Sequence, residues 1–300
     1  MNQRLHPLAT LAAFALTSSA YATLITYDGF TGGTGVLHGT SSVDSTNWRN
    51  PWDNQGGTLA VGYSYSNASP LTFGLLLSSP DYATGGNAFQ TTGRDVLANF
   101  GSAWDLAGAV SSPFNTQRVD SGVVWASFML RKDVNNQSPN AVTFHPSNIP
   151  WFTGGTPRLS VGYIGGEFGP GLSDVGGGKF IAIEFVGSAT VSAVTPVPVV
   201  IGQTNLIVLK FDFDADQVSL YVDPSTLGGP PPASPTAVLA MEDGFGIRSI
   251  GWYAGRDPGS GSLDEIRMGT TYASVTPLIP EPAMAGVLAP AALLLVRRRK

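Results

Sequence analysis

The chain has 300 residues, of which 43% are hydrophobic and only 12% are charged, and its formal net charge at pH 7 is -5. Residues 23–279 are more acidic than this total, because they hold 11 Lys and Arg against 20 Asp and Glu, a net charge of -9. Such a surface repels polyanions, which excludes nucleic acid as a partner and disfavours anionic polysaccharide unless a cation bridges it. Cysteine is absent, so disulfides, thiolate metal sites and thiol nucleophiles are excluded together.

The first segment, residues 1–22, is typical of a secretory signal peptide. Arg4 supplies a positive start, residues 8–16 form an apolar run, and the segment ends in the A-x-A pattern Ala20-Tyr21-Ala22. Signal peptidase reads this pattern, so we expect export and cleavage after Ala22. Eukaryotic secreted domains usually carry disulfides, and the lack of cysteine therefore favours a bacterial envelope.

Residues 23–275 form one predicted all-β domain. The 37 Gly and 22 Pro indicate many turns, and the runs between them alternate with the period of two that strands require. Strands are predicted at 24–27, 59–65, 122–130, 159–164, 179–186, 206–213, 218–222, 247–254 and 263–268. Within the domain, helical spacing is confined to residues 94–106. Strands without alternating helices argue for a two-layer antiparallel sandwich.

The residues that could carry catalysis are few. The mature chain has only His38 and His145, and neither lies in a nucleophile-elbow or zinc-protease pattern; His145 is expected in a loop. Glu184 is a lone acid on a predicted strand. Asp264 and Glu265 are neighbours on another strand, so they should point to opposite faces and cannot flank one glycosidic bond. We therefore predict no catalytic residue.

Three acids, Asp212, Asp214 and Asp216, have the D-x-D-x-D spacing that begins an EF-hand loop. An EF-hand also needs Gly at its sixth and Glu at its twelfth position, where this chain has Gln217 and Asp223. The three acids are therefore predicted to be turn residues, which leaves a structural calcium open and predicts no other metal or cofactor.

Three tryptophans, Trp48, Trp52 and Trp151, lie in loops rich in Gly, Pro and Asn. An exposed indole ring can stack on the face of a sugar. The same rings can instead cover the ends of the sandwich core. Carbohydrate stacking and core covering are the two interpretations that the sequence leaves open.

Residues 276–300 form a tail with three parts in order. Its apolar run, residues 283–296, would rise about 21 Å as a helix, which is shorter than a hydrocarbon core of about 30 Å. Long basic side chains can extend to the interface, so the run predicts a short membrane helix with its basic end in the cytoplasm. The other parts are Pro280-Glu281-Pro282 before the run and Arg297-Arg298-Arg299-Lys300 after it.

This tail resembles the PEP-CTERM sorting signal of bacterial proteins. The resemblance implies recognition by an exosortase, a membrane enzyme, and an association with envelopes that produce exopolysaccharide. Pro280, Glu281 and Pro282 would then be the recognition element, and Arg297, Arg298 and Arg299 the basic end of the signal.

The body of the chain resembles the laminin-G-like, concanavalin A-like sandwich domains found before such tails. The resemblance rests on 27–30, on the pair Trp48 and Trp52, and on 124–128, 220–224 and 263–275. It implies a jelly roll of two packed antiparallel sheets over residues 23–275, and it transfers a shape more than an activity.

Together these observations predict an exported envelope or cell-surface protein, held in the membrane at least transiently by its C-terminal helix. The leading hypothesis is a non-enzymatic structural or matrix component that is processed by signal peptidase and sorted by an exosortase. The alternative is a carbohydrate-binding module for envelope polysaccharide. The third and least favoured hypothesis is a glycoside hydrolase, because the sequence lacks the carboxylate array of sandwich glucanases.

Overall fold

The computed structural model describes residues 24–31, 48, 52–54, 64–68, 70–85, 92–95, 118–146, 158–165, 173–255 and 260–279. The predicted signal peptide, His38, Trp151 and the sorting tail from Pro280 onward lie outside these ranges. Among the described residues, no helix has both the length and the apolar character needed to cross a bilayer.

Strands make up most of the described chain, and each is bounded by turns as the Gly and Pro content predicts. In chain order the strands are β1 (Leu24–Asp28), β2 (Asp53–Asn54), β3 (Ser64–Ser66), β4 (Tyr82–Gly85), β5 (Thr92–Asp95), β6 (Val123–Lys132), β7 (Asn140–His145), β8 (Arg158–Tyr163), β9 (Asp174–Val175), β10 (Gly178–Val186), β11 (Thr190–Pro198), β12 (Thr204–Asp212), β13 (Gln217–Val222), β14 (Ala237–Ala240), β15 (Ser249–Tyr253) and β16 (Gly261–Gly269). One short helix, α1 (Tyr272–Val275), follows β16.

The strands form two antiparallel sheets. Sheet A has the order β14-β13-β12-β6-β16-β4-β3. Its eighth strand, β1, lies off this path and pairs with β16. Sheet B has the order β11-β10-β8-β7-β15-β5-β2, and β9 extends it by pairing with β10. Strands that are distant in sequence therefore lie side by side, as in the pairing of β6 with β12 and β16. The predicted all-β, two-sheet antiparallel jelly-roll sandwich is confirmed.

The main core lies between the inner faces of the two sheets. The sequence predicts that Ile207, Leu209 and Phe211 share one face of β12, and all three are buried in this core. Phe211 of sheet A meets Phe144 of sheet B edge to face, with ring centroids 5.1 Å apart. Burial of each large side chain contributes about 1.5–3 kcal/mol, and the aromatic contacts across the layers fix how the sheets face each other.

A second apolar cluster covers the outer face of sheet A. We call it the outer cluster, and its buried members are Leu71, Leu76, Tyr82, Trp125, Met129, Leu206, Val208, Tyr221, Tyr272 and Val275. β6 supplies residues to both clusters, because its odd and even positions point to opposite faces and both faces are covered. This double burial explains why residues 122–130 are apolar apart from Ser127, whose hydroxyl donates to the Val275 carbonyl.

The C-terminal segment is the element that covers sheet A. Helix α1 is capped by Thr271, whose side chain accepts a hydrogen bond from the backbone N–H of Ser274. The chain then pairs with residues 75–77: Leu77 donates its backbone N–H to Pro277 and Ile279 donates to Leu75, both at 2.9 Å. The folded part therefore extends to Ile279, four residues beyond the predicted end of the domain.

Two local expectations are corrected by the structure. His145 was expected in a loop before Pro146, but it is the last residue of β7 and pairs with Ser249 of β15. Arg94 was placed at the start of a helical stretch, but it lies in β5 opposite Ile250. In both cases the pairing with β15 decides the local structure, and that pairing joins segments far apart in sequence.

Candidate functional site

The outer face of sheet B is polar, unlike the outer face of sheet A. The alternate residues of β7, β8 and β10 enter the core, which leaves the intervening positions on the outer face. The strand register then places Ser160 directly opposite both Thr143 and Glu184. We call this layer of side chains the polar face; its described members Thr143, His145, Arg158, Ser160 and Glu184 are all buried.

Glycines border the row that Thr143, Ser160 and Glu184 form. Gly251 of β15 pairs with Thr143, and Gly93 of β5 pairs with Gly251. Because glycine has no side chain, the row of polar side chains ends at Thr143, and Gly251 beside it is buried.

His145 is held neutral on this face. Its side chain is fully buried, and its Nε2 atom lies 2.8 Å from the Thr143 hydroxyl. Burial, helped by the positive charge of Arg158, lowers the pKa of His145 from 6.5 to about 3. The second ring nitrogen, Nδ1, is buried and has no hydrogen-bond partner. A neutral imidazole can offer this atom as donor or acceptor according to its tautomer.

Arg158 and Glu184 form a loose ion pair beside the histidine. Arg158 Nη2 lies 3.8 Å from Glu184 Oε1, which is longer than a direct hydrogen bond. Burial lowers the pKa of Arg158 and raises the pKa of Glu184, and in each case the charge of the partner opposes the shift. Mutual attraction therefore offsets only part of the desolvation of the two charges.

Ser160 completes the row with a second buried atom that lacks a partner. Its hydroxyl oxygen makes no hydrogen bond, although the residue is almost wholly buried. Buried polar atoms without partners are rare in folded proteins and call for an explanation. The polar face therefore combines a hydroxyl, an imidazole, a guanidinium and a carboxylate, with hydrogen-bonding capacity that the described protein atoms leave unused.

The predicted tryptophan platforms fall elsewhere. Trp52 is fully buried, stacks on Phe30 with ring centroids 5.6 Å apart, and donates its indole N–H to Asp28 at 2.8 Å. Its ring has no exposed surface for a sugar, so the core-covering interpretation holds for this residue. Trp48 is half-buried against the same core and donates to the Tyr27 carbonyl at 2.8 Å. Trp151 lies outside the described residues.

Asp264 and Glu265 are both buried in sheet A and reach no surface. Glu265 has a positive φ of 57° at an irregularity in the β16–β6 pairing, so the strict alternation expected here does not hold. Its carboxylate accepts hydrogen bonds from the Ser79 backbone and the Arg267 guanidinium. Burial, together with the charge of Glu265, raises the pKa of Asp264 well above its usual value. These acids hold a bulge and offer no pair for a substrate.

The three acids with EF-hand spacing are spread around a turn. Asp212 contacts Lys210 at 2.9 Å, and Asp214 accepts a backbone N–H from Gly122 at 3.3 Å. Asp216 adopts a left-handed backbone conformation with φ of 47°. Within the described ranges, no three His, Asp or Glu side chains are grouped so that they could hold a metal ion.

Sequence reasoning missed the polar face, although a signal for it exists. Thr143 and His145 are two positions apart in β7, as are Arg158 and Ser160 in β8, and Glu184 is a single acid between apolar residues of β10. Taken one at a time they read as isolated polar residues. Only the register of β7, β8 and β10 brings them together.

Comparison with known proteins supports the fold. No protein-family model matches the chain, and no curated protein matches it. Among solved structures it is similar to domain 4 of AbnA, a GH43 extracellular arabinanase from Geobacillus stearothermophilus in complex with arabinotriose. The TM-score is 0.50 at 14% identity, over 85% of this chain and 97% of that one.

A second similar structure is a Trypanosoma rangeli sialidase bound to the inhibitor DANA. The TM-score there is 0.42 at 9% identity, over 84% of this chain and 32% of the sialidase, so the chain spans about a third of that protein. The similarity to the AbnA domain places the chain among β-sandwich domains.

Proposed function

We propose that this protein is an exported, non-enzymatic envelope protein whose β-sandwich binds carbohydrate through the polar face of sheet B. The proposal rests on one observation: His145 Nδ1 and Ser160 Oγ, which are buried and have no hydrogen-bond partner, lie on this face beside the Arg158–Glu184 pair. Sugar hydroxyls donate and accept hydrogen bonds at once, so they suit a surface that offers both kinds of group. This favours the carbohydrate-binding hypothesis over a purely structural component.

The charge of the chain narrows the ligand class. The net charge of -9 on residues 23–279 disfavours acidic glycans. The proposed ligand is therefore a neutral polysaccharide. The AbnA domain was solved with a bound arabinotriose, so a sandwich of this shape carries a short neutral sugar chain in that protein.

The non-enzymatic part of the proposal follows from the carboxylates. Canonical glycoside hydrolysis needs two carboxyl groups about 5–10 Å apart on either side of the scissile bond. Asp264 and Glu265 are buried in the other sheet, and Glu184 is engaged with Arg158. The polar face is thus suited to holding a sugar and lacks a described acid–base pair to cleave it.

Binding should be tested with the fragment 23–279 on a panel of neutral and acidic polysaccharides. Hydrogen bonds to charged groups contribute about 1.5–3 kcal/mol, so Glu184→Gln should lower the affinity for the retained glycan about 10- to 100-fold. Ser160→Ala should weaken it about fivefold, since a neutral hydrogen bond contributes about 1 kcal/mol. Ser219→Ala, a serine on the outer face of sheet A, is the matched control and should leave binding unchanged.

Each part of the proposal has its own contrary result. If the fragment is retained by no glycan, with or without calcium, carbohydrate binding is wrong and the structural hypothesis remains. Retention that survives both Glu184→Gln and Ser160→Ala would place the site elsewhere. Release of reducing sugar would overturn the non-enzymatic assignment.

Delivery to the surface is the second part of the proposal, and it rests on the resemblance of the tail to a PEP-CTERM signal. Signal peptidase would cut after Ala22, and an exosortase would then read Pro280-Glu281-Pro282. Glu281→Ala should leave an unprocessed form in the membrane, and mass spectrometry of both ends of the mature protein would show it. Unchanged processing and surface delivery would count against the sorting assignment.

A further inference from the structure

Four large aliphatic side chains stand exposed at the point where the chain leaves the sandwich. Residues 75–77 and 277–279 pair as a two-stranded ribbon through the bridge between Leu76 and Leu278. Leu75, Leu77, Leu278 and Ile279 are each between 44% and 59% exposed. We call these six residues the apolar ribbon.

The inner side of the ribbon already accounts for its folding. Leu76 is 2% exposed and packs in the outer cluster, while the backbone of the ribbon is tied by the bonds from Leu77 to Pro277 and from Ile279 to Leu75. Leu278 lies opposite Leu76 and packs beside Gly228 while remaining 44% exposed, and Leu75, Leu77 and Ile279 lie on the other side of the ribbon. Contiguous exposed apolar groups of this kind mark a contact with a partner or a membrane.

The two segments that hold the ribbon carry no charge, and Arg267, which donates to the Leu77 carbonyl, is buried and paired with Glu265. Neither residues 70–80 nor residues 268–280 contain a single Asp, Glu, Lys or Arg. Placing this surface against an apolar medium would therefore require no desolvation of a charged side chain, which is the largest cost of such a transfer. For a chain with a net charge of -9 over residues 23–279, two uncharged stretches meeting at one place favour a lipid partner.

The length of the connection to the tail fixes where the ribbon must lie. Only Pro280, Glu281 and Pro282 separate Ile279 from the apolar run that begins at Ala283. Four backbone steps of about 3.3–3.6 Å span at most about 14 Å. The headgroup region adds roughly 5–8 Å to each side of the hydrocarbon core. An embedded run would thus hold the ribbon at the level of the headgroups or just outside them.

We propose that the apolar ribbon rests on the bilayer, with Leu75, Leu77, Leu278 and Ile279 in the headgroup interface. This inference rests on the proposed insertion of the tail. It assigns the membrane-facing surface of the folded domain, which the tail alone leaves open. Before the tail is cut, the ribbon then presents Pro280-Glu281-Pro282 at the membrane surface, within reach of a membrane enzyme.

The absence of cysteine makes a clean test available. Full-length protein carrying Leu75→Cys or Leu278→Cys is labelled with a small fluorophore and reconstituted into vesicles of phosphatidylcholine and phosphatidylglycerol. Some of the lipid bears a nitroxide near its headgroup, which quenches only nearby fluorophores. Val175→Cys is the matched control, because Val175 is 51% exposed but lies on β9 of the opposite sheet.

The expected result is loss of emission from the labels at positions 75 and 278, and steady emission from the label at 175. Flotation of the vesicles shows separately whether the chain is inserted. Protein that floats with the labels at 75 and 278 no more quenched than the label at 175 overturns the ribbon proposal and leaves the tail assignment intact. Protein that does not float overturns both. The two labelling positions are independent, so if one variant does not fold the other decides.

Discussion

Tyr272 tests whether the C-terminal segment is part of the folded domain. Its ring is 2% exposed and meets Trp125 edge to face, with centroids 5.3 Å apart. Its hydroxyl donates a hydrogen bond to the Thr226 carbonyl. Tyr272→Ala removes both contacts, whereas Tyr272→Phe removes only the hydrogen bond.

The two variants should differ by an amount that the contacts define. Truncation of a buried aromatic residue to alanine costs about 3–5 kcal/mol of unfolding free energy, because the ring is lost and a cavity remains. Loss of one neutral hydrogen bond costs about 1 kcal/mol. In a domain of this size each kcal/mol lowers the Tm by about 2–4 °C, so Tyr272→Ala should lower it by about 10 °C.

Urea unfolding of the fragment 23–279, followed by circular dichroism and tryptophan fluorescence, measures both changes. Val238→Ala is the control, since Val238 is 42% exposed on β14 and should cost less than about 0.5 kcal/mol. If Tyr272→Ala is as stable as Val238→Ala, the C-terminal segment does not pack on sheet A. The position of the apolar ribbon would then be lost as well.

Three further predictions concern buried polar groups. The pKa of His145 is about 3 in the fold and 6.5 when exposed, so between these values the unfolded chain binds more protons than the folded one. The free energy of unfolding should therefore fall as pH falls from 6.5, and His145→Gln should remove this pH dependence in urea titrations. Burial raises the pKa of Asp264 above 3.8, so the folded protein should lose stability as pH rises above 3.8, where the unfolded chain ionises this carboxyl more readily. Asp264→Asn should therefore be more stable than the parent at pH 7, and the difference should close towards pH 3.8. Trp252 donates to the Asn140 side chain at 2.8 Å inside the core, so Trp252→Phe should cost about 1–3 kcal/mol in the same assay.

The strands and the main core could be predicted because they depend on period two alone. The alternation of Ile207, Leu209 and Phe211 gives the buried face of β12 without knowledge of its partners. The apolar run of residues 123–130 in β6, interrupted only by Ser127, indicates that both its faces are covered. It cannot say that Tyr272, more than 140 residues later, provides the cover, because that contact depends on the path of the chain after β16.

The sites were harder to predict because they arise from pairing between distant segments. Trp52 lies in a loop-like sequence, and its burial is explained by a hydrogen bond to Asp28. His145 precedes a proline, which usually signals a turn, yet the pairing with Ser249 keeps it in a strand. The bulge at Glu265 is likewise held by Ser79 and Arg267. Asp28, Ser249 and Ser79 all lie outside the window that local pattern analysis can examine.

The two outer faces of the sandwich differ, and this difference would define the orientation of the domain relative to the membrane. Sheet A is covered on its outside by the C-terminal segment, whose last bonded residue, Ile279, is followed at once by the tail. Sheet B has its polar face on the opposite side of the molecule, about one sandwich thickness away. A domain held by its tail would therefore turn the apolar ribbon towards the membrane and carry the polar face on the far side of the sandwich. Attachment and binding then need no shared residues, and variants of one surface should leave the other unchanged.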